Sequence, residues 1–235
     1  MYILSSHEVH ICSACLSENK SDISYLVSLL SEDERHMASK FRYAKDQRNF
    51  ITSRGMLRCL LGGYLKKEPQ DIEIVYGLWG KPCLVEKPLY FNLSHSRDHV
   101  LYAIARDYEI GIDIEYIDHT FDLALLVSSI LSSQERVHWE NTKSEDKVNT
   151  FFKLWVCKEA FLKAFGKGWI SDPQITVLQE LDCFKNDAMG ADRLEKMKYP
   201  FYLEILPGYA SALFIDGPFL QPFFYTWSLI KDSLR

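Results

Sequence analysis

The sequence lacks an uninterrupted apolar run of the kind that crosses a membrane, which needs about 18 residues. It also lacks a basic stretch followed by an apolar run between Met1 and His10, the pattern that marks a secretory signal. From these two absences we expect a cytoplasmic protein that makes no contact with a membrane.

An excess of positive charge is missing too. The chain of 235 residues carries 27 lysines and arginines against 32 aspartates and glutamates, which gives a net charge of -5. Nucleic-acid binders and proteins that adhere to anionic lipids usually present a basic surface, so this charge disfavours both classes. Hydrophobic residues make up 47% of the chain, which is enough for the core of one large domain or of two small ones.

The six cysteines follow no disulfide or zinc-site pattern. Only Cys12 and Cys15 form a C-x-x-C pair, and no second pair of cysteines or histidines follows at zinc-site spacing. In a chain without an export signal we expect reduced thiols that mostly pack in the interior. A metal-binding or redox use of the C-x-x-C pair is the alternative.

Apolar residues recur with helical and strand periods along the chain. The strongest helical pattern runs over residues 46–66, and Ser31 with Glu34 forms a capping box at the start of an earlier helix. The patterns predict helices at 22–30, 31–41, 46–66, 122–141 and 145–165, and strands at 72–76, 89–93, 100–105, 109–115, 174–178, 199–206, 209–215 and 223–230.

The order of helix, strands, helix and strands indicates an internal duplication. Short stretches of sequence repeat in the same places: Leu30-Ser31 with Glu34-Arg35 is similar to Leu131-Ser132 with Glu135-Arg136, and Leu60-Leu61-Gly62 is similar to Ala164-Phe165-Gly166. We therefore predict an α+β fold made by pseudo-twofold duplication, with two similar α+β halves at residues 1–115 and 116–235. Ligand sites favour such interfaces, so we expect the active site in the cleft between the halves.

Asp113 and Glu115 lie two residues apart in a predicted strand, so their side chains share one face. Two neighbouring carboxylates repel each other unless a cation lies between them, and hard oxygen ligands of this kind suit magnesium. The alternative is that both carboxylates face water at the end of a strand.

The predicted helix that ends at Gly166 carries a polar stripe. Trp155, Glu159 and Lys163 follow each other at intervals of four residues and share one face. The remaining residues are strongly apolar, which indicates a largely buried helix on which a charged stripe needs a partner. A third metal-binding carboxylate and a phosphate-binding ammonium group would supply one, and a stripe that faces solvent is the alternative.

Two further patterns could bind an anion. Small hydroxyl residues surround His95 at the end of a predicted strand, in Asn92-Leu93-Ser94-His95-Ser96. The segment between Arg35 and Arg58 is locally basic and contains Lys40, Arg42, Lys45, Arg48 and Arg54. A polar turn and the exposed face of one helix are the respective alternatives.

Taken together, the ordered motifs resemble one family, the Sfp-type 4′-phosphopantetheinyl transferases. The resemblance covers about residues 30–170. The motifs that carry it are the basic helix from Phe41 to Arg58, Gly80-Lys81-Pro82, Tyr90-Phe91-Asn92-Leu93-Ser94-His95-Ser96, Gly111-Ile112-Asp113-Ile114-Glu115, Trp155-Val156-Cys157-Lys158-Glu159-Ala160-Phe161-Leu162-Lys163-Ala164 and Gly166-Lys167-Gly168.

This resemblance implies a magnesium-dependent transfer of 4′-phosphopantetheine from coenzyme A to a serine of an apo acyl, polyketide or peptidyl carrier protein, with release of 3′,5′-ADP. It implies that the metal ligands are Asp113, Glu115 and Glu159. It further implies that Glu159, or a metal-bound water that it polarises, takes the serine proton, and that Lys163 stabilises charge on the pyrophosphate. The residues that it implies for coenzyme A binding, mainly in the first half, are Arg48, Arg54, Lys81, Pro82, Asn92, Ser94, His95, Asp113 and Lys163.

One position departs from the family pattern. Met37 stands where many members carry a basic residue that holds the 3′-phosphate of coenzyme A, which puts discrimination against dephospho-coenzyme A in question. The competing hypotheses are a magnesium-dependent nuclease or phosphohydrolase and a binding module without catalysis. Two built-in halves favour a monomer. An apolar segment, Phe121, Leu123, Leu125 and Leu126, is a candidate surface for the carrier, and an ordinary core helix is its alternative.

Overall fold

The computed structural model describes residues 3–17, 23–166 and 200–230. Helices and strands are mixed along the chain, as the sequence predicts for an α+β protein. The strands are β1 (Glu8–Cys15), β2 (Ile74–Tyr76), β3 (Pro82–Leu84), β4 (Tyr90–Ser96), β5 (His99–Ala105), β6 (Ile110–Tyr116), β7 (Phe201–Leu203), β8 (Tyr209–Ile215) and β9 (Gln221–Thr226). The helices are α1 (Ile23–Leu29), α2 (Glu32–Ser39), α3 (Ala44–Leu65), α4 (Ala124–Ile130), α5 (Ser133–Asn141), α6 (Lys147–Ala164) and α7 (Trp227–Ile230).

The described strands form two main sheets and a small hairpin. The first sheet has the order β4-β5-β1-β9, in which β1 runs antiparallel to β5 and parallel to β9. The second sheet has the order β6-β8-β7 and is antiparallel. Strands β2 and β3 pair only with each other in this part of the chain. Each main sheet therefore contains strands from distant parts of the sequence.

The two sheets pack face to face, and a long helix covers the outer face of each. Buried side chains of β5 alternate: Tyr102 packs towards α3, while Leu101 and Ala103 pack with residues of β6 and β8. On β8, Ala212 packs towards α6, and Leu213 belongs to the core between the sheets. The result is four layers, in the order α3, first sheet, second sheet and α6.

None of the described helices is long and apolar enough to cross a bilayer.

Several element predictions need correction. β1 is not among the predicted strands, because its buried positions include Cys12 and Ala14 beside Val9 and Ile11, and small and sulfur-containing residues weaken a strand pattern. Nor is β3 among the predicted strands. The predicted helix at 122–141 is two helices, because Leu131 is extended and Ser132 caps a new helix.

Near the end of the chain, the predicted strand at 199–206 is only the three residues of β7. The predicted strand at 223–230 is β9 followed by one turn of helix, α7. The predicted strand at 174–178 lies outside the described residues. The remaining predicted helices and strands match described elements, with shifts of a few residues at their ends.

A buried ion pair ties a short helix to the long one beside each sheet. Beside the first sheet, Glu34 Oε2 accepts hydrogen bonds from the backbone N–H of Ser31 at 3.0 Å and from Arg58 Nε at 2.6 Å. The capping glutamate of α2 therefore also binds α3. Both side chains of this pair are 2% exposed. Arg58 also donates to the backbone carbonyls of Pro69 and Ile72.

The second ion pair has the same construction. Glu135 Oε2 accepts from the backbone N–H of Ser132 at 2.8 Å and lies 2.7 Å from Lys158 Nζ, which links α5 to α6. Lys158 also donates to the carbonyl of Ile130 at 2.7 Å. Both capping boxes that the repeated sequence contains are therefore present, and each of them neutralises a cation on the neighbouring long helix.

We expect Glu34→Ala to lower the free energy of unfolding by about 3–5 kcal/mol, because removing one partner leaves a buried guanidinium without its counter-charge. Urea denaturation followed by circular dichroism measures this loss. The control is Glu32→Ala, an exposed glutamate in the first turn of the same helix, which should cost no more than about 1 kcal/mol. Equal losses in the two variants would show that the ion pair does not stabilise the fold.

Candidate active site

A cavity of about 420 Å³ opens where α3, β4, β6 and α6 meet the turn between β2 and β3. Each of these elements contributes side chains to its wall. The lining residues are Phe50, Ser53, Arg54, Trp79, Gly80, Lys81, Pro82, Asn92, Leu93, Ser94, His95, Asp113, Glu115, Glu159, Leu162, Lys163 and Gly166. All the residues that the family resemblance implies for metal binding, catalysis and coenzyme A binding, except Arg48, lie in this wall. Arg48 is exposed on α3.

Gly111 determines how close α6 comes to β6. A Cβ atom at this position would lie 1.9 Å from the carbonyl oxygen of Ala160 and 2.5 Å from the backbone nitrogen of Ala164. No side chain fits there, so the helix backbone rests directly on the strand. The sequence analysis included Gly111 in a motif without assigning it this role, although a glycine inside a strand is a signal of close backbone approach.

Asp113 is the buried centre of the polar cluster. It is only 1% exposed, so the alternative in which it faces water is wrong. Its Oδ1 atom accepts from Ser94 Oγ at 2.7 Å and from Lys163 Nζ at 2.5 Å. Its Oδ2 atom is buried and has no hydrogen-bond partner among the described residues. Asp113 thus retains one carboxylate oxygen that can accept a ligand.

Lys163 joins the helix to both strands of the site. Its ammonium group binds Asp113 on β6 and donates to Ser94 Oγ on β4 at 2.8 Å. Lys163, on the charged stripe of α6, therefore has a buried partner in Asp113 and does not simply face solvent. Glu159 lies one turn earlier on α6 and lines the same cavity. Trp155, the third member of the stripe, stacks on Phe152.

Glu115 carries an electrostatic penalty. Burial raises its pKa to about 7, and the negative charge of Asp113 acts in the same direction, as does the charge of Glu159. Ser96 Oγ donates to Glu115 Oε2 at 2.9 Å, which opposes the shift only in part. Asp113 and Glu159 therefore lie close enough to Glu115 to influence its ionisation.

The positive charge that lies against the Asp113 carboxylate comes from Lys163. Within the described ranges, no three histidine, cysteine, aspartate or glutamate side chains form a ready metal site. The Lys163 ammonium lies against Asp113 instead. Of the C-x-x-C pair, Cys12 is buried, and burial raises the pKa of its thiol to about 12.

The remaining predicted site residues differ in what their side chains contact. Arg54 lies over the rings of Phe50 and Tyr76, and its buried Nη1 has no hydrogen-bond partner among the described residues. His95 is exposed at the cavity wall. Asn92 Oδ1 accepts from the backbone N–H of Ile112 at 2.9 Å and so connects the two sheets. Its side chain has a structural task beside any contact with a ligand.

Cations, aromatic rings and carboxylates thus line a single cavity. Two family models match the parts of the chain that form it. The model described as the 4′-phosphopantetheinyl transferase superfamily matches residues 109–192. A model of the N-terminal part of 4′-phosphopantetheinyl transferases matches residues 17–106. Together they cover every element that lines the cavity.

Curated relatives agree with the family models. The 4′-phosphopantetheinyl transferase HetI of Nostoc sp. is 35% identical over 228 residues, which are 94% of this chain and 93% of the relative. The 4′-phosphopantetheinyl transferase ffp of Bacillus subtilis is 28% identical over 212 residues, which are 86% of this chain and 88% of the relative. The chain therefore belongs to the 4′-phosphopantetheinyl transferase superfamily and is an enzyme of that class, as the motifs indicated.

The raised pKa of Glu115 predicts a pH dependence of stability. The folded protein holds a proton on Glu115 up to about pH 7, whereas an unfolded glutamate releases it near the ordinary value of 4.5. Stability is therefore lost as pH rises between these two values. In the presence of a chelator, we expect the melting temperature of Glu115→Gln to gain on that of the wild type between pH 5 and pH 8.

Differential scanning fluorimetry of both proteins across this range measures the effect. Glu86→Gln, which changes an exposed glutamate outside the cavity wall, is the matched control and should follow the wild type. A constant difference between Glu115→Gln and the wild type at every pH would contradict the charge penalty.

Proposed function

We propose that this transferase moves the 4′-phosphopantetheine group of coenzyme A to a serine hydroxyl of an apo carrier protein and releases 3′,5′-ADP, with Mg²⁺ as the metal. The observation that carries the proposal is the contact of Lys163 with Asp113 in a cavity that Glu115 and Glu159 also line. Acidic residues and one ammonium group at a single point suit a reaction in which a pyrophosphate changes its charge distribution.

Coenzyme A would lie along the cavity with its nucleotide at the end formed by α3 and the turn before β3. Arg54 has a buried donor available there, and His95 adds an imidazole at the rim. Both suit the phosphate groups of the nucleotide. Trp79, which is 55% exposed, and Pro82 offer apolar faces to the base. Arg48 remains a candidate phosphate ligand from outside the described wall.

The chemical step is a displacement at phosphorus. The carrier serine oxygen forms a bond to the phosphorus that bears the pantetheine arm, and the bond from that phosphorus to the bridging oxygen breaks. The leaving 3′,5′-ADP takes the bridging oxygen and its negative charge. Glu159 accepts the serine proton, and Lys163 shifts from Asp113 towards the pyrophosphate to balance the charge of the leaving group.

Two observations at the site support magnesium as the metal. Asp113 offers a buried Oδ2 without a hydrogen-bond partner in the described structure, and a nearby cation would relieve the penalty that burial and Asp113 impose on Glu115. Asp113, Glu115 and Glu159 would hold the ion. It would supply positive charge that neutralises the pyrophosphate. Lys163 would then be released from Asp113 for its role in the reaction.

The two halves of the molecule derive, in this proposal, from a duplication that places the active site in the cleft between residues 1–115 and 116–235. The matching buried ion pairs, Glu34 with Arg58 and Glu135 with Lys158, support a common origin. The sheets do not follow the boundary strictly, because β6 pairs with β8 and β9 pairs with β1. Each half therefore lends one strand to the sheet of the other.

The partner in this proposal is an acyl, polyketide or peptidyl carrier protein that binds a monomer of this chain in the cytoplasm. Of the apolar segment suggested for docking, Leu123 packs in the core beside Val127, which favours the core-helix alternative at that residue. Phe121 is 50% exposed and stays available for a partner.

Intact-mass spectrometry tests the reaction. An apo acyl carrier protein incubated with this protein, coenzyme A and Mg²⁺ should gain the mass of one phosphopantetheine group, while 3′,5′-ADP accumulates. A chelator should abolish the gain, and a carrier whose acceptor serine is replaced by alanine should show none. If no carrier of several classes gained mass while coenzyme A was hydrolysed, the phosphohydrolase hypothesis would replace the transferase.

A further inference from the structure

The ammonium group of Lys81 is fully engaged by the protein. It donates to the carbonyl of Ala164 at 2.6 Å, to Glu109 Oε2 at 2.7 Å and to the carbonyl of Ile110 at 3.2 Å. A lysine has three N–H donors, and three acceptors surround this one. The side chain is 14% exposed, so solvent reaches little of it.

These acceptors lie at the structural junctions of the site. Ala164 is the last residue of α6 and Ile110 is the first residue of β6, while Glu109 immediately precedes that strand. The last carbonyls of a helix have no partner within the helix, and a cation there also interacts favourably with the helix dipole. Lys81 therefore holds the end of α6 against the start of β6.

The Lys81 side chain also packs against the chain that leaves α6. A Cβ atom on Gly166 would lie 3.5 Å from the Cβ and Cδ atoms of Lys81, in ordinary contact distance. Its neighbours Trp79, Gly80 and Pro82 line the active-site cavity. Lys81 thus links the turn at the nucleotide end to the helix that carries the reacting groups.

We infer that Lys81 is a positioning residue, which fixes the last turn of α6 so that Lys163 reaches Asp113 and Glu159 faces the cavity. This role differs from the direct contact with coenzyme A that the family resemblance implies for Lys81, and it rests on the proposed transfer reaction. Lys163 directly precedes Ala164, whose carbonyl Lys81 binds, so a loosened helix end displaces Lys163 first.

Steady-state kinetics distinguishes positioning from binding. For Lys81→Met we expect kcat to fall at least about tenfold, while KM for coenzyme A stays within about twofold of the wild type. The preference for coenzyme A over dephospho-coenzyme A should not change. Lys81→Arg should recover part of the kcat, because a guanidinium group can still donate to several of the same acceptors.

Lys87→Met is the matched control. Lys87 binds Glu109 through the other carboxylate oxygen, Oε1, at 2.8 Å, and it lies outside the wall of the active-site cavity. It should keep the wild-type kcat and KM. A Lys81→Met enzyme with a raised KM and an unchanged kcat, or one that loses its preference for coenzyme A over the dephospho form, would overturn the inference and make Lys81 a ligand. Unchanged kinetics would overturn it as well.

Hydrogen–deuterium exchange gives a readout that needs no reaction. Amides of residues 159–166 should exchange faster in Lys81→Met than in Lys87→Met, while exchange in α3 stays the same in both. Equal exchange in the last turn of α6 would refute the positioning role. A wild-type protein that transfers nothing to any carrier would refute the proposed function instead, and the exchange result would still decide the role of Lys81 at the helix end.

Discussion

The side chains proposed for the reaction depend on one backbone contact, that of α6 against β6 at Gly111. Because a Cβ atom there would overlap the carbonyl of Ala160, glycine lets the helix approach to the distance at which Lys163 reaches Asp113 across the interface. The other polar contacts of the site are built around this approach. Ser94 on β4 binds both members of that ion pair, and Asn92 binds the backbone of β6 one residue before Asp113.

The buried carboxylates of the molecule differ in how fully a neighbouring cation neutralises them. Glu34 and Glu135 are each neutralised by a buried cation, so these ion pairs serve the fold. The carboxylates in the cavity are compensated only in part, because Lys163 binds Asp113 while Glu115 keeps a pKa of about 7. A carboxylate cluster that is only partly neutralised destabilises the protein without a ligand, and it favours the binding of a cation in the cavity. Glu34 and Glu135 are thus each paired with a cation within the fold, whereas the cavity carboxylates are only partly neutralised and can interact with a ligand.

Local patterns grouped several of the polar residues that the cavity brings together. Period-two alternation placed Asp113 and Glu115 on one face of β6, with Ile112 and Ile114 in the core. Helical spacing placed Glu159 beside Lys163. What the patterns could not supply is the partner of a side chain that is distant in sequence. The contact between Lys81 and Ala164 joins residues 83 positions apart, and nothing in the local sequence specifies it.

The errors in the fold have a similar origin. The two capping boxes are equivalent, yet the one at Ser132 was read inside a continuous helix because apolar residues recur with helical spacing on both sides of it. β1 is not predicted because small and sulfur-containing residues weaken its strand pattern, and because the strands that pair with it, β5 and β9, lie about 90 and 210 residues further along the chain. Pairing with such distant strands cannot be read from a window of sequence.

A double-mutant cycle tests most directly whether the groups on β6 and α6 act as one site. The measurement is kcat for Asp113→Asn, Glu159→Gln and the variant with both changes, using an acyl carrier protein, coenzyme A and Mg²⁺. If the two carboxylates act as a unit, each single change should lower kcat by about a hundredfold or more, and the double change should lower it no more than about threefold further. Losses that simply multiply would mean that Asp113 and Glu159 act independently, which would contradict the account of a single site assembled at Gly111.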